Sequence, residues 1–155
     1  GVTSIVISGL PEDGDRLRLA RELGFRTAAA GEQGWTREAR GMLPADGADV
    51  VFDACGMLDS PRELVRRGGE IVEVGWPARD VSASELRDLF FHGVTLINSR
   101  IRTPETWRRA IAMVASGAVD LRPMITHRYP IARGAEAFEL LLGRKGVKAL
   151  IIPQA

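Results

Sequence analysis

The sequence holds one cysteine, Cys55, and two histidines, His92 and His127, in 155 residues. A single thiol excludes an intramolecular disulfide framework and a zinc site built from several cysteines. Excess charge of one sign is also missing: 21 basic side chains meet 20 acidic ones, a formal net charge of +1. That balance lacks the electrostatic footprint of a nucleic-acid binder, so no nucleic-acid partner is expected. No apolar run approaches the roughly 18 residues of a membrane span. The opening Gly1-Val2-Thr3-Ser4 has no basic segment leading into an apolar stretch, so no signal peptide is expected. A lone thiol, expected to be buried, fits a reducing cytoplasm. Self-contained catalytic motifs are absent too: there is no Gly-x-Ser-x-Gly elbow, no His-Glu-x-x-His helix and no phosphate loop ending in Gly-Lys-Ser/Thr.

What is present is an Arg-rich chain of one domain's length in which short apolar runs alternate with amphipathic stretches. Residues 4–8 read as a β-branched strand closed by Gly9. Residues 13–23 have helical spacing, with Leu17, Ala20 and Leu23 on one stripe and Gly24 as a stop. Residues 26–30 form a weak strand pattern, and 36–42 one or two helical turns. Residues 49–53 make the clearest strand. A helix over 59–66, ended by Gly68-Gly69, leads to a strand over 70–74 closed by Gly75. Residues 84–91 read as a helix with Leu86, Leu89 and Phe90 inward, and 94–97 as a strand. Thr103-Pro104-Glu105 is a strong helix start: a capping hydroxyl, proline at the first position, and an acid at the positive end of the dipole. Trp107, Ala110, Ile111 and Val114 repeat at helical spacing up to Gly117.

This alternation predicts an α/β fold, a Rossmann-like doubly wound parallel sheet over residues 1–122. Residues 123–155 form a shorter appendage: strand 125–129, helix 135–142 and strand 148–152. In an open parallel sheet, ligands bind beyond the carboxyl ends of the strands. Here those ends are Ser8-Gly9, Ala54-Cys55-Gly56, Val74-Gly75-Trp76 and the residues after Ile97. Glycine there lets a ligand reach the backbone. His92 reads as a solvated helix end, His127 as a structural strand residue, and Cys55 as a residue packed beside a ligand. Asp53 suggests the phosphoacceptor of a receiver domain, but Glu12-Asp13 stands too far along its loop to supply the required acidic pair.

Five pieces, in order, resemble the zinc-type medium-chain alcohol and polyol dehydrogenases, a family that includes sorbitol and threonine dehydrogenases. They are Arg16-Leu17 through Leu23-Gly24, Gly47-Ala48-Asp49-Val50-Val51-Phe52-Asp53-Ala54-Cys55-Gly56, and Arg67-Gly68-Gly69-Glu70-Ile71-Val72-Glu73-Val74-Gly75. Then come Ser116-Gly117 through Ile125-Thr126-His127-Arg128, and Glu136-Ala137-Phe138-Glu139 with Gly146-Val147-Lys148. The pieces cover nearly all of this chain and about the C-terminal half of a typical member. The family's Gly-x-Gly-x-x-Gly turn and its zinc-ligand domain have no counterpart in these residues. The resemblance thus implies a cofactor domain truncated at its N-terminus, with residues 123–155 returning toward the catalytic domain.

The resemblance also implies site residues. Ser8 and Gly9 stand where the family carries the acid that grips the adenosine ribose. Without that carboxylate a 2′-phosphate has room, with Arg16 as its partner. NAD and NADP both remain open, with NADP favoured. Cys55 and Gly56 belong to the same ligand edge. Val74, Gly75 and Trp76 match the stretch flanking the nicotinamide. Arg100, Ile101 and Arg102 match a segment whose backbone meets the carboxamide and whose last arginine contacts the cofactor. Lys148 matches a basic residue near the pyrophosphate. No catalytic residue and no metal ligand is assigned to this chain; zinc belongs to the parent family. The implied reaction is hydride transfer between a small alcohol or polyol and the nicotinamide. The rival reading is a non-catalytic nucleotide-binding or dimerisation module. An open edge at strand 4–8 predicts a homo-oligomer or pairing with an N-terminal half.

Overall fold

The computed structural model describes residues 2–76, 79–99 and 102–153. Strands and helices alternate as β1 (Val6–Gly9), α1 (Gly14–Glu22), β2 (Arg26–Ala29), α2 (Trp35–Gly41), β3 (Ala48–Asp53), α3 (Asp59–Leu64), β4 (Val65–Glu73), α4 (Ala83–His92) and β5 (Thr95–Asn98). Then follow α5 (Pro104–Ala115), β6 (Ile125–Pro130), α6 (Gly134–Leu142) and β7 (Lys148–Ile152). The fold is α/β, as the alternation predicts. Hydrogen bonds group the strands as β1-β2, β3-β4-β5 and β6-β7. The β3-β4, β4-β5 and β6-β7 pairs are parallel.

The chain forms two compact units. The first comprises Gly1–Val6 and Glu32–Ile101, the second Ile7–Gly31 and Arg102–Ala155. In the first, register sets Val51, Ile71 and Leu96 side by side on one sheet face. Side chains of paired residues in a parallel sheet share a face, so this row offers a continuous apolar strip. Leu58, Leu89 and Val65 of the same strand cluster with Ile71, which is fully buried at its centre, and Val51 packs against them, while Leu96 is exposed. In the second unit the buried apolar residues are smaller: Leu17, Ala20, Ala28 and Ala137.

The helix ends follow local chemistry. Ser82 caps α4 by accepting from the Glu85 N–H, and the Glu85 carboxylate accepts from the Ser82 N–H. This reciprocal box satisfies two donors that a helix start leaves orphaned. Thr103 caps α5 by accepting from the Thr106 N–H at 3.2 Å.

Three expectations change. The strand expected over 70–74 reaches back to Val65, so the helix before it ends at Leu64. Val65 pairs with Ala48, and Arg66–Gly69 bulge before the register resumes at Val50 and Glu70. The Arg66 guanidinium holds that bulge to Asp49 at 2.7 Å. Secondly, α4 buries Glu85 and Leu89, whereas Leu86 and Phe90 are exposed. Ion pairing to Arg79 lets a carboxylate occupy the inward position that the apolar spacing assigned to its neighbours. Thirdly, Cys55 is exposed, although Gly56 and Leu58 of the same turn are buried.

Candidate ligand edge at the strand ends

The carboxyl ends of β3, β4 and β5 finish level: Asp53 is registered against Glu73, and Glu73 against Asn98. Asp53 is 4% exposed and organises the edge. Its Oδ1 accepts from the N–H groups of Cys55 at 2.9 Å and Gly56 at 2.8 Å. Its Oδ2 accepts from the Leu58 N–H at 2.8 Å. Its backbone carbonyl accepts from Val74 and Gly75, at 2.9 and 2.8 Å. One aspartate therefore orders the turn after β3 and the first residues after β4. Aspartate at a strand end suits this task, because its short side chain folds back onto the following N–H groups.

Glycine is required at the meeting point of these two segments. A Cβ on Gly75 would lie 2.5 Å from the Gly56 nitrogen and 2.7 Å from the Ala54 carbonyl carbon. Both obstacles are backbone and cannot swing aside. Gly56 itself has φ +72°, a left-handed conformation that side chains resist. The two strand-end segments thus pack backbone against backbone, with Gly56 buried. Beside it lies a cavity of about 80 Å³, bordered by Gly56, Leu58, Glu73, Arg79, Leu96 and Asn98.

Charged groups shape the cavity wall. Arg79 is engaged by Asp59 at 2.6 Å and by Glu85. The paired cation holds the Glu85 carboxyl far below the usual range, with the Ser82 hydroxyl and N–H adding to the effect. Glu73 moves the other way. Burial first, and then the neighbouring Asp53 carboxylate, raise its pKa above the ordinary glutamate value.

The structure brings Cys55, Gly56, Val74, Gly75 and Trp76 to this edge. Trp76 is 70% exposed. Arg100 and Ile101 lie outside the described residues. Ser8, Gly9, Arg16, Arg102 and Lys148 belong to the second unit. There, a Cβ on Gly9 would press on Leu17 Cδ2 at 3.2 Å, so the β1 end packs close against α1. Arg16 is paired with Asp13 at 2.8 Å, and Asp13 also receives Arg144 at 3.3 Å. Asp15 accepts from the Gly146 N–H at 3.1 Å. That bond, followed by the Arg18 charge, lowers the Asp15 pKa. The start of α1 is thereby joined to the turn that leads into Lys148. Arg102 is exposed.

Sequence reasoning missed two residues here. Asp53 stood out only as a phosphoacceptor candidate, and Glu73 not at all. The available signals were an aspartate followed by Ala-Cys-Gly at a strand end, and a lone charge inside the apolar run Ile71-Val72-Glu73-Val74.

Residues 1–116 match the family described as zinc-binding dehydrogenase. The chain belongs to this family. Among curated relatives of the zinc-binding dehydrogenase chain is D-arabitol-phosphate dehydrogenase of Enterococcus avium, 26% identical over 95% of this chain and 43% of that protein. L-threonine 3-dehydrogenase of Saccharopolyspora erythraea is 35% identical over 90% of this chain and 41% of its own length. An alcohol dehydrogenase structure from Thermotoga maritima superimposes with a TM-score of 0.82 at 25% identity, covering 99% of this chain and 44% of that one. The chain spans less than half the length of these relatives. Among the described residues no group of three or more His, Cys, Asp or Glu side chains is placed to hold a metal ion. The family's zinc therefore has no fitting donor set in these residues. No helix of the described residues is long and apolar enough to cross a membrane.

Proposed function

We propose that this chain supplies part of the nicotinamide-cofactor cradle of an alcohol or polyol dehydrogenase that uses NAD or NADP. The observation that carries the reading is the level set of strand ends, where Gly56 and Gly75 pack backbone against backbone beside a small cavity. Membership of the zinc-binding dehydrogenase family supports the reading. When bound, the nicotinamide ring supplies the hydride acceptor or donor. Val74, Gly75 and Trp76 would flank the ring, and Cys55 and Gly56 would line the adjoining edge. The backbone of the segment Arg100-Ile101-Arg102 would meet the carboxamide, and Arg102 would contact the cofactor. Residues 1–122 act as the cofactor-domain part, and 123–155 as the segment that returns to the catalytic part.

Toward the adenosine end, Ser8 and Gly9 leave space for a 2′-phosphate, Arg16 binds it, and Lys148 serves the pyrophosphate. This favours NADP. Arg16 must exchange Asp13 for the phosphate, so the preference over NAD is small. Titration with NADH and NADPH, followed by nicotinamide fluorescence, tests the cradle. Saturable binding of both, with NADPH tighter, is expected. No binding of either at millimolar concentration refutes the cradle reading.

A second reading, a non-catalytic nucleotide-binding or dimerisation module, is favoured by the lack of a metal-donor cluster among the described residues. Turnover of an alcohol with NAD(P) and added zinc would reject it. Among the described residues β1 bonds only to β2, and β3 only to β4, so each has a free edge. Free edges invite pairing with another strand, which supports a homo-oligomer or association with an N-terminal half. A monodisperse monomer in light scattering at high concentration would contradict the self-association. The proposed substrate is a small alcohol or polyol, and the proposed location is the cytoplasm.

A further inference from the structure

β4 sets Glu73 beside Asp53, as register partners at the sheet edge. Asp53 has no spare capacity for repulsion: it is buried, and both its oxygens already hold the N–H groups of Cys55, Gly56 and Leu58. Glu73 Oε1 is buried and meets no donor. A buried carboxylate oxygen without a donor, next to a second carboxylate, is an expensive arrangement. A single proton between the two groups resolves it, because an O–H···O⁻ hydrogen bond then replaces the repulsion.

The surroundings offer no better remedy. On β3 the group facing Glu73 is Asp53. On β5 its register partner is Asn98, whose side-chain amide could donate but does not bond to Oε1. The segment after β4 brings Arg79 to the cavity wall, but Arg79 is committed to Asp59 of α3 and Glu85 of α4. Arg62 of α3 pairs through its terminal nitrogens with Asp59, Glu85 and Asp88, and its buried Nε meets no acceptor, Glu73 Oε1 included.

We propose that Glu73 shares a proton with Asp53, and that this proton makes Glu73 the positioning residue for the Asp53-centred turn from Cys55 to Leu58. With the proton present, Asp53 stays aimed at its three N–H groups. When the proton leaves, two adjacent anions push apart and the turn loosens. The raised pKa of Glu73 has the matching direction: burial, then Asp53, disfavour its anion. The inference concerns the turn alone and stands whether or not a nicotinamide binds there.

Site-resolved hydrogen exchange between pH 4 and pH 8, in the absence of cofactor and corrected for intrinsic rates, tests it. Protection of the Cys55, Gly56 and Leu58 amides is expected to fall as pH rises, by about tenfold for each unit by which the Glu73 pKa is raised. The Val74 and Gly75 amides bond to the Asp53 backbone carbonyl and serve as the reference that stays flat. Glu73→Gln keeps a donor at every pH, so its protection should remain at the low-pH level of the native protein. Glu73→Leu has no donor and no charge, so its protection should be lower and independent of pH. A flat native profile overturns the proposal, as does a Glu73→Gln profile with the same step as the native one. Should Glu73→Gln not fold, carbon-detected titration of the native Glu73 carboxyl decides. A midpoint above the ordinary glutamate range supports the shared proton, and one at or below that range overturns it.

Discussion

The two units hold their strand ends by different means. In the first, a buried carboxylate, Asp53, gathers five backbone N–H groups through its side chain and carbonyl. Beneath it lies a core of large aliphatic side chains around Ile71. In the second, the corresponding joins are ion pairs and carboxylate–amide bonds at or near the surface: Arg16–Asp13, Arg144–Asp13, Leu10–Asp13 and Asp15–Gly146. The second unit's buried apolar residues are mostly alanines. A buried hydrogen bond to a charged group is strong and expensive to break, whereas solvent and salt weaken an exposed pair. The comparison teaches that the edge of the first unit is built rigidly and that of the second adjustably.

The largest expected effect comes from Asp53→Ala, which leaves three N–H groups of the turn without their acceptor. Urea unfolding should show a loss of about 3–5 kcal/mol. A loss below 1 kcal/mol, roughly a surface pair's worth, would erase the contrast between the units. Next is a pair of glycine substitutions. Gly75→Ala drives a Cβ into backbone and should destabilise by about 2–4 kcal/mol. Gly146→Ala meets the His127 ring at 2.7 Å and adopts φ +74°. The ring can shift, so a smaller effect of about 1–2 kcal/mol is expected. The reverse order would invert the comparison.

A smaller effect concerns pH. The folded state lowers the Asp15 pKa, through the Gly146 N–H and then Arg18. A depressed carboxylate pKa gives stability that is present above the unfolded value and is lost as pH falls through the folded one. Thermal melts between pH 2 and pH 6 should therefore show Asp15→Asn less stable than the native protein at the upper end, with the two curves converging toward the acid end. The smallest effect is expected at the exposed Arg133–Glu136 pair, where Arg133→Ala should leave the melting temperature unchanged within error.

Much of the fold is legible in the sequence because its signals are local. Gly24 and Gly117 follow the ends of α1 and α5 where the pattern places them, and Thr103-Pro104 starts α5 as its capping chemistry predicts. The β4 start was not legible, since pairing of Val65 with Ala48 is a contact between distant residues that outweighs the helical pattern up to 66. Leu86 and Phe90 misled because apolar spacing identifies a stripe and says nothing of Arg79, which draws Glu85 inward. At the candidate edge, the glycines were legible as strand-end punctuation, but the pair Asp53 and Glu73, twenty residues apart, meets only through strand register.

By itself, then, the sequence determined the alternation of strands and helices, their caps and breaks, and the family pattern, all of which follow from neighbouring residues and local backbone preference. The tertiary structure decided which charges go inside and which carboxylates face each other. Those outcomes depend on register and burial, which set the dielectric around a charge and which partners it meets.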